Sequence, residues 1–519
     1  MSNKKKNGII TYLVLVSAVL LTKVLGLLRG ILLSQNYGTG MEASAFTAVS
    51  NLPLLLFDVT FGTAISSAFV PVFNEKLSKN GEKEANRFAS NFMTIIVVFS
   101  LVISLAGILF PKAAVMLVAS GFRGQADIMT LASQLMRIVM PIISFACATF
   151  IFIGILQSYG EFIAPALVSL FSNLSMILYF LTLNKTFKIH GLAVAFVLGW
   201  MLQFLFLIPF LKKKKFRYTF GFDLKSPDIR RVAVLTLPLF VAALAQPINQ
   251  LISSNLSSSV GENGVATVNY AYNAYYIVAG VFSYALTNMF FPEMSRRFAL
   301  KDVNGATVIC KDMLSNITAI IMPIMAFMGA CSMPIIKVLY QRGEFSSTDT
   351  LNVSLLLSVY VLGMIFLSWQ DILNKFFYSM QKVTVPVVCA GVGIAINFLL
   401  SFLLTKRFGL VGLATSTVVA GFIMTAILSV FAVKITKTIF DAAFWIEMLK
   451  LTLSGVAVFV FSRFIVGLLN FDTSLLMQVI YVGVIFVASA LLYLVLLFVF
   501  RSTNLKKILK LFRKGEKSC

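Results

Sequence analysis

Runs of about twenty or more mostly apolar residues recur fourteen times along this 519-residue chain, near 9–33, 44–73, 88–110, 128–157, 161–183, 191–211, 232–257, 265–293, 312–336, 350–378, 384–405, 409–433, 442–467 and 474–500. A helix needs about 20 such residues to cross roughly 30 Å of hydrocarbon. Inside that layer every backbone N–H and C=O must be satisfied within the segment, which leaves helices as the spanning structure. The expected fold is therefore all-α and polytopic, with about fourteen transmembrane helices. Only 12% of residues are charged, about half the share of a soluble domain.

The net charge of +23, from 43 Lys and Arg against 20 acids, would suggest a nucleic-acid partner in a soluble chain. Here the basic residues gather in alternate loops, at 4–6, 76–87, 212–231, 296–311, at Lys434 and Lys437, and at 501–517, while the loops between hold few. The positive-inside rule then puts those loops and both termini in the cytoplasm, and no nucleic acid is expected. The basic-then-apolar start MSNKKKNGIITYLVLVSAVLL resembles a signal peptide, but the run is too long and lacks a small-residue cleavage site. It reads as a retained first helix.

Enzyme chemistry has little to draw on. Cys147, Cys310, Cys331, Cys389 and Cys519 have no disulfide or metal spacing, and His190 is the one histidine. Neither a Walker A sequence nor H-E-x-x-H occurs, so no ATP hydrolysis, metal or cofactor is expected.

An internal repeat organises the chain. Phe69-Val70-Pro71 recurs as Phe290-Phe291-Pro292, Ser158 and Pro165 as Ser379 and Pro386, and Gly191-Leu192-Ala193 as Gly412-Leu413-Ala414, each at an offset of 221. Six helices thus occur twice in one orientation, as in transporters built of parallel repeats. The expected domains are a six-helix lobe at 1–211, a basic cytoplasmic linker at 212–231, a second lobe at 232–433, and two extra helices with a basic tail at 434–519.

Charges at membrane depth point to the site, because each costs about 2.5 to 3.5 kcal/mol on insertion scales and normally faces a bundle interior or a watery cavity. Lys23 and Arg29 lie in the first segment, beside a Gly26-x-x-x-Gly30 spacing that favours close helix approach. Asp58 lies in the second segment, within reach of a salt bridge with Lys23. Arg137 lies in the fourth, four residues before Pro141, whose freed carbonyls are partners for it. Arg29 lies far enough along its helix to reach the outer headgroups as an alternative. Asp371 and Lys375 are spaced as a helical ion pair. Ser346 and Asp349 have the spacing of a capping box, with Arg123 to Asp127 as the counterpart in the first half. Tyr270, Tyr272, Tyr275 and Tyr276 are expected to pack, with a sugar-lining path as the alternative.

The stretches VLGLLRGILL with AFVPVFNEK, GILQSYGEFIAPAL, GLAVAFVLGWMLQ, VNYAYNAYYIVAGVFSYALTNMFFPEMSR, Gln341-Arg342-Gly343-x-Phe345 and FFYSMQKVTVPVVCAGVGIAINFLLS resemble the lipid II flippase family (MviN/MurJ), of the multidrug/oligosaccharidyl-lipid/polysaccharide exporter superfamily. The resemblance implies two six-helix lobes around a cationic cavity and a last helix pair forming a lipid-facing groove. It implies transport of undecaprenyl-pyrophosphate-linked peptidoglycan precursor from the inner to the outer leaflet by alternating access, in the bacterial cytoplasmic membrane. The implied partners are that lipid-linked glycan, membrane lipids and cell-wall synthesis proteins. Arg29 and Lys23 keep family cations. Asn51 and Asn273 stand where the family has arginines, Ser44 where it has an acid, and Ser253 where it often has an aspartate linked in some members to sodium.

The expected substrate-binding set is therefore Lys23, Arg29, Asn51, Asp58, Arg137 and Asn273, driven by the membrane potential or an ion, with sodium disfavoured by Ser253. The rivals are export of another polyprenyl-linked glycan, of capsule, teichoic or O-antigen type, and a drug or cation antiporter. A membrane glycosyltransferase would need paired acids and a larger outer loop, and a pore or scaffold would not need duplicated lobes.

Overall fold

The computed structural model describes residues 2–54, 62 and 65–504. Its helices, in order, are α1 (Ser2–Tyr37), α2 (Met41–Pro53), α3 (Val70–Leu109), α4 (Pro111–Val118), α5 (Ala126–Val139), α6 (Ile142–Ser158), α7 (Ile163–Thr182), α8 (Asn184–Lys213) and α9 (Pro227–Ala243). There follow α10 (Ala245–Ser258), α11 (Gly264–Ala299), α12 (Val303–Ala330), α13 (Ser332–Tyr340), α14 (Ser347–Tyr360), α15 (Met364–Ser379), α16 (Thr384–Ile435), α17 (Ala442–Leu468) and α18 (Leu475–Val499). Among the described residues there is no strand, and nine helical stretches are long and apolar enough to cross a membrane. One of the nine, α16, turns back at Gly409 (φ 58) into two halves, each about 25 residues and of spanning length.

The chain folds as two compact units, Met1–Ala266 and Thr267–Cys519. The 221-residue offset of the sequence reappears in the backbone. Helices α4, α5 and α7 begin at Pro111, Ala126 and Ile163; α13, α14 and α16 begin 221 residues later, at Ser332, Ser347 and Thr384. Even irregular residues correspond: Lys188 (φ 45, ψ −143) interrupts α8 and Gly409 (φ 58, ψ −140) interrupts α16, while Gly160 (φ 74) and Gln381 (φ 61) follow α6 and α15. His190 lies just past the Lys188 turn within α8.

In the first unit, an aromatic stack joins the two arms of α3 on either side of the Gly81 turn and packs on α6. Phe69 lies 5.7, 5.6 and 5.0 Å from the ring centres of Phe73, Phe88 and Phe92, and all four are buried with Ile151 and Ile155. Lipid tails are as apolar as these side chains, so shape and ring packing, not escape from water, hold such helices together. The break between α5 and α6 falls at Met140 and Pro141, since a proline has no N–H to continue the ladder. Ser104 of α3 donates to the Met140 carbonyl at 2.9 Å there.

In the second unit, α12 packs on α15 and α17. The Trp369 indole N–H donates to Thr318 Oγ1 at 2.9 Å, and Gly455 of α17 leaves room for Met322. A buried polar knot ties the end of α18 back to the bundle: Ser502 donates to Glu447, and Asn504 Nδ2 donates to Ser315 Oγ at 2.8 Å. Outside the membrane segments, Asp441 caps α17 by accepting from Phe444 N (2.9 Å) and meets Lys311 at 2.6 Å. The Lys311 bond, with the backbone bond, holds its carboxyl below the usual aspartate range. Ser346 and Asp349 form the expected capping box at α14, whereas α5, at the equivalent place, begins at Gln125 without a side-chain cap.

Two expectations are corrected. Lys375 turns its ammonium onto the Phe291 ring, 5.0 Å from the centroid, and among the described residues it makes no ion pair with Asp371. Cation–π attraction strengthens away from water and competes well with a pair whose carboxylate would be desolvated. Of the Gly26 and Gly30 spacing, only Gly26 meets a neighbour, with Asn173 of α7 4.0 Å from where a Cβ would stand; Gly30 faces open space.

Candidate functional site

Helix α1 has two distinct exposed faces. Leu21, Val24 and Leu28 are 48%, 62% and 40% exposed, and their spacing puts them on one apolar stripe. Ala18 is buried, and the Thr22 carbonyl accepts from Asn173 Nδ2 at 3.5 Å, so this side packs on α7. At about 100° per residue, Lys23 and Arg29 lie roughly 130° and 110° from the apolar stripe, in the half of the helix turned away from it. Lys23 is exposed and Arg29 partly buried. Lys23 thus stands clear of the apolar stripe, whereas Arg29, two turns after Thr22, lies on the side that packs on α7.

Helix α5 repeats this separation more sharply. Its exposed residues are Ala126, Asp127, Thr130, Gln134 and Arg137, and the residues between are buried or half-buried. Steps of three and four residues align the last four on one face. That polar stripe runs about 15 Å along the helix and ends at Arg137. Gln134 Oε1 lies 2.9 Å from His190 Nε2 of α8, which fixes the amide in the stripe. Sequence reasoning found Arg137 but missed Thr130 and Gln134; the 127, 130, 134, 137 spacing was the available signal.

The remaining expected residues fall elsewhere. Asn51 is buried in α2 at 8% exposure, inside a helix whose residues from Ala43 to Pro53 are all buried. Asp58, and with it the Lys23–Asp58 pair, lies outside the described residues. Asn273 belongs to the second unit, is exposed on α11 and donates to Asn269 Oδ1 at 2.8 Å. Beside it Tyr272 and Tyr276 stack at 5.4 Å with their planes 14° apart, and Tyr276 is 39% exposed. Positions 269, 272, 273 and 276 share one helical face, where amides and aromatic rings stand together. Tyr270 and Tyr275 point the other way and are buried, Tyr270 against Tyr340 and Phe345, Tyr275 against Tyr360. The cluster thus divides between packing and an open face. The structure therefore gathers Lys23, Arg29, Asn51 and Arg137 into the first unit without a side-chain contact among them, and leaves Asn273 in the second.

A polar latch was not legible beforehand. The backbone N–H groups of Ser120 and Gly121 donate to Asn255 Oδ1 (2.8 Å) and Ser258 Oγ (3.0 Å), and Asn255 Nδ2 donates to the Leu117 carbonyl at 2.7 Å. A Cβ at residue 121 would lie 2.3 Å from Ser259 N, so only glycine admits this docking of α10 on the turn after α4.

Duplicated helices and nine described stretches long and apolar enough to cross a membrane are the architecture of a multi-pass membrane protein. The fold has relatives among solved structures. It superposes on a lipid II flippase MurJ in an inward closed conformation with a TM-score of 0.79, at 24% identity, covering 92% of this chain and 98% of that one. An inward-facing MATE transporter of the MOP superfamily follows at TM-score 0.66 and 14% identity, covering 82% and 98%. Among sequences, the lipid II flippase MurJ of Burkholderia cenocepacia is 26% identical over 403 residues (76% of this chain, 78% of that one). The probable lipid II flippase MurJ of Bdellovibrio bacteriovorus is 27% identical over 447 residues (85% and 84%). The family model for lipid II flippase MurJ matches residues 33–507. The chain belongs to the lipid II flippase MurJ family.

Proposed function

We propose that this chain carries lipid II, the undecaprenyl-pyrophosphate-linked disaccharide-pentapeptide, from the cytoplasmic to the outer leaflet for peptidoglycan synthesis. The observation that carries the reading is the placement of Lys23 and Arg29 on the half of α1 turned away from its apolar stripe. A pyrophosphate crossing hydrocarbon needs its lost hydration replaced, and charge-assisted hydrogen bonds from such cations are roughly twice as strong as neutral ones. Lys23 and Arg29 take the pyrophosphate, Arg137 and Gln134 extend the polar path, and Asn273 with Tyr272 and Tyr276 meets the sugars, since rings stack on sugar faces while amides bond hydroxyls. Asn51 and Asp58 belong to the same proposed binding set.

The two repeats act as lobes at 1–211 and 232–433, joined by a cytoplasmic linker and followed by the helix pair of 434–519. With the basic loops inside, both termini face the cytoplasm of a bacterial inner membrane, and the latch between Gly121 and Ser258 lies on the outer side. No cofactor takes part. The membrane potential contributes about 2.3 kcal/mol per elementary charge per 100 mV, and sodium is disfavoured by Ser253. Transfer of another polyprenyl-linked glycan is the second reading, favoured by Asn51 and Asn273 in place of cations. Cell-wall synthesis proteins at the outer leaflet are the expected recipients.

The test is a leaflet-resolved assay of labelled lipid II in cells depleted of their own flippase. The parent chain restores outward movement, and Lys23→Ala with Arg29→Ala abolishes it at normal expression. Full activity in the doubly substituted protein sinks the site assignment. Failure of the parent on lipid II alongside transport of another polyprenyl-pyrophosphate glycan selects the second reading.

A further inference from the structure

The linker after α8 is a fixed structure rather than a loose basic tether. Its sequence KKKKFRYTFGFDLK, residues 212–225, alternates aromatic or apolar residues (Phe216, Tyr218, Phe220, Phe222, Leu224) with others, and residues 216–223 form neither helix nor strand. They are nonetheless pinned along α3. Asn91 receives Asp223 N on Oδ1 at 2.7 Å and donates Nδ2 to the Asp223 carbonyl at 3.0 Å, a two-point backbone clamp. Thr219 N donates to Ser90 Oγ at 3.1 Å, and Tyr218 Oη lies 2.8 Å from Thr94 Oγ1. Beyond the linker, Asp228 and Arg231 pair with Lys76 and Glu75 at 2.8 Å each.

What the clamp displays is unusual for a water-exposed loop. Phe220 is 80% exposed, Phe222 50% and Leu224 59%, while Lys215, Arg217 and Lys225 beside them are exposed too. A flexible polybasic segment could serve topology alone, yet topology requires neither an ordered backbone nor outward-turned phenylalanines. Depth supplies the missing partner. Thr94, which meets Tyr218, lies one turn, about 6 Å, before Val98 and Phe99, where the exposed apolar surface of α3 begins. Tyr218 stands at that level, and Phe220 and Phe222, next to the Thr219–Ser90 and Asp223–Asn91 bonds, stand about one turn further out along α3, so that their outward-turned rings reach back toward the headgroup-to-tail zone that aromatic belts occupy, with the adjacent cations at phosphate level.

We propose that residues 215–225 form a docking strip for anionic phospholipid of the cytoplasmic leaflet, with Phe220 and Phe222 inserted among the acyl chains and Lys215, Arg217 and Lys225 on the phosphates. The strip is separate from the cargo path, and its occupancy holds the linker in place against α3. Its leaflet follows from the orientation proposed above, but its lipid binding does not depend on what is transported.

Full-length protein in bilayers of equal phosphatidylglycerol and phosphatidylcholine, read by native mass spectrometry of retained lipids, tests it. The parent enriches phosphatidylglycerol about tenfold, as expected for a few cations near an anionic surface, and excess inorganic phosphate does not displace it. Lys215→Gln/Arg217→Gln/Lys225→Gln brings the ratio near one. Phe220→Ser/Phe222→Ser and Asn91→Ala, which keep every charge, lower it severalfold. Retention by the triple variant equal to the parent's, or displacement by free phosphate, overturns the proposal. So does parental enrichment in the phenylalanine variant, which would leave charge alone as the cause. Those two rings are solvent-exposed, so that variant folds even where Asn91→Ala does not, and lipid II transport measured alongside separates this outcome from failure of the flippase reading.

Discussion

Helices α5 and α14 occupy the same place in the two repeats, 221 residues apart, and expose the same faces. What stands on those faces differs. In α5 the exposed or partly exposed positions carry Asp127, Thr130, Gln134 and Arg137; the equivalents in α14 are Thr348, Leu351, Leu355 and Ser358, with both leucines 48% exposed. One backbone pattern thus carries two surfaces, polar along α5 and apolar along the middle of α14. Duplication preserved the packing face, where shape is constrained, and released the outer face to follow its surroundings.

The largest effect comes from exchanging those faces. Leu355→Arg puts a charge where α14 meets lipid and should destabilise the protein by roughly 2.5 to 3.5 kcal/mol if the site lies at mid-membrane, seen as a lower melting temperature in detergent-free bilayers. The reverse exchange, Gln134→Leu with Arg137→Ser, removes the polar stripe with little loss of stability, while lipid II flipping falls at least tenfold, about 1.4 kcal/mol in barrier. Equal melting temperatures for Leu355→Arg and parent would mean that α14 faces water as α5 does, and the contrast would be void.

How much of this was legible beforehand depends on which surface carried the information. The repeat, the break at Pro141 and the capping box at Ser346 were written in local chemistry: a proline without an N–H, and a serine and an aspartate three residues apart. The cations Lys23, Arg29 and Arg137 were legible because charge in an apolar run is costly wherever it points. The burial of Asn51, the open space at Gly30 and the turn of Lys375 onto Phe291 depend on which helix becomes a neighbour, and no local pattern specifies that. The latch at Asn255 and the clamp at Asn91 join residues more than a hundred positions apart, and a lone asparagine in sequence gives no hint of its partner.

The paired turns offer a smaller test. Lys188 (φ 45, ψ −143) and Gly409 (φ 58, ψ −140) share a sparsely populated positive-φ conformation, of a kind that costs a residue with a Cβ about 1 to 3 kcal/mol. Gly409→Ala should therefore lower stability by about that amount and Lys188→Gly should raise it by less than about 1 kcal/mol, since the unfolded chain gains freedom. At the helix starts, Ser346→Ala should cost about 1 kcal/mol. The same loss is not available at Gln125, which caps nothing, so Gln125→Ala should be neutral in the same denaturation series. A cost at Gln125 would mean that both repeats use their caps.

The smallest effect separates the turns between the second and third helices of each repeat by pH. In the first repeat the turn is made by Gly81 (φ 84), which does not titrate. In the second its counterpart is Asp302, which accepts from Gly305 N at 2.8 Å and from Arg297 at 2.8 Å. The Gly305 bond first, and the Arg297 pair after it, hold this carboxyl below its ordinary value. A carboxyl lowered in the folded state contributes stability that is full above the unfolded value of about 3.9 and is lost as pH falls through the folded value. Hydrogen exchange at Gly305 should therefore speed up, relative to its intrinsic rate, only below about pH 4, while the amides around Gly81 keep their protection. Asp302→Asn should abolish that pH dependence while retaining part of the cap, because an asparagine oxygen accepts the same N–H without a proton to gain. Parallel loss of protection at both turns would trace the acid response to the bundle as a whole and remove Asp302 as its cause.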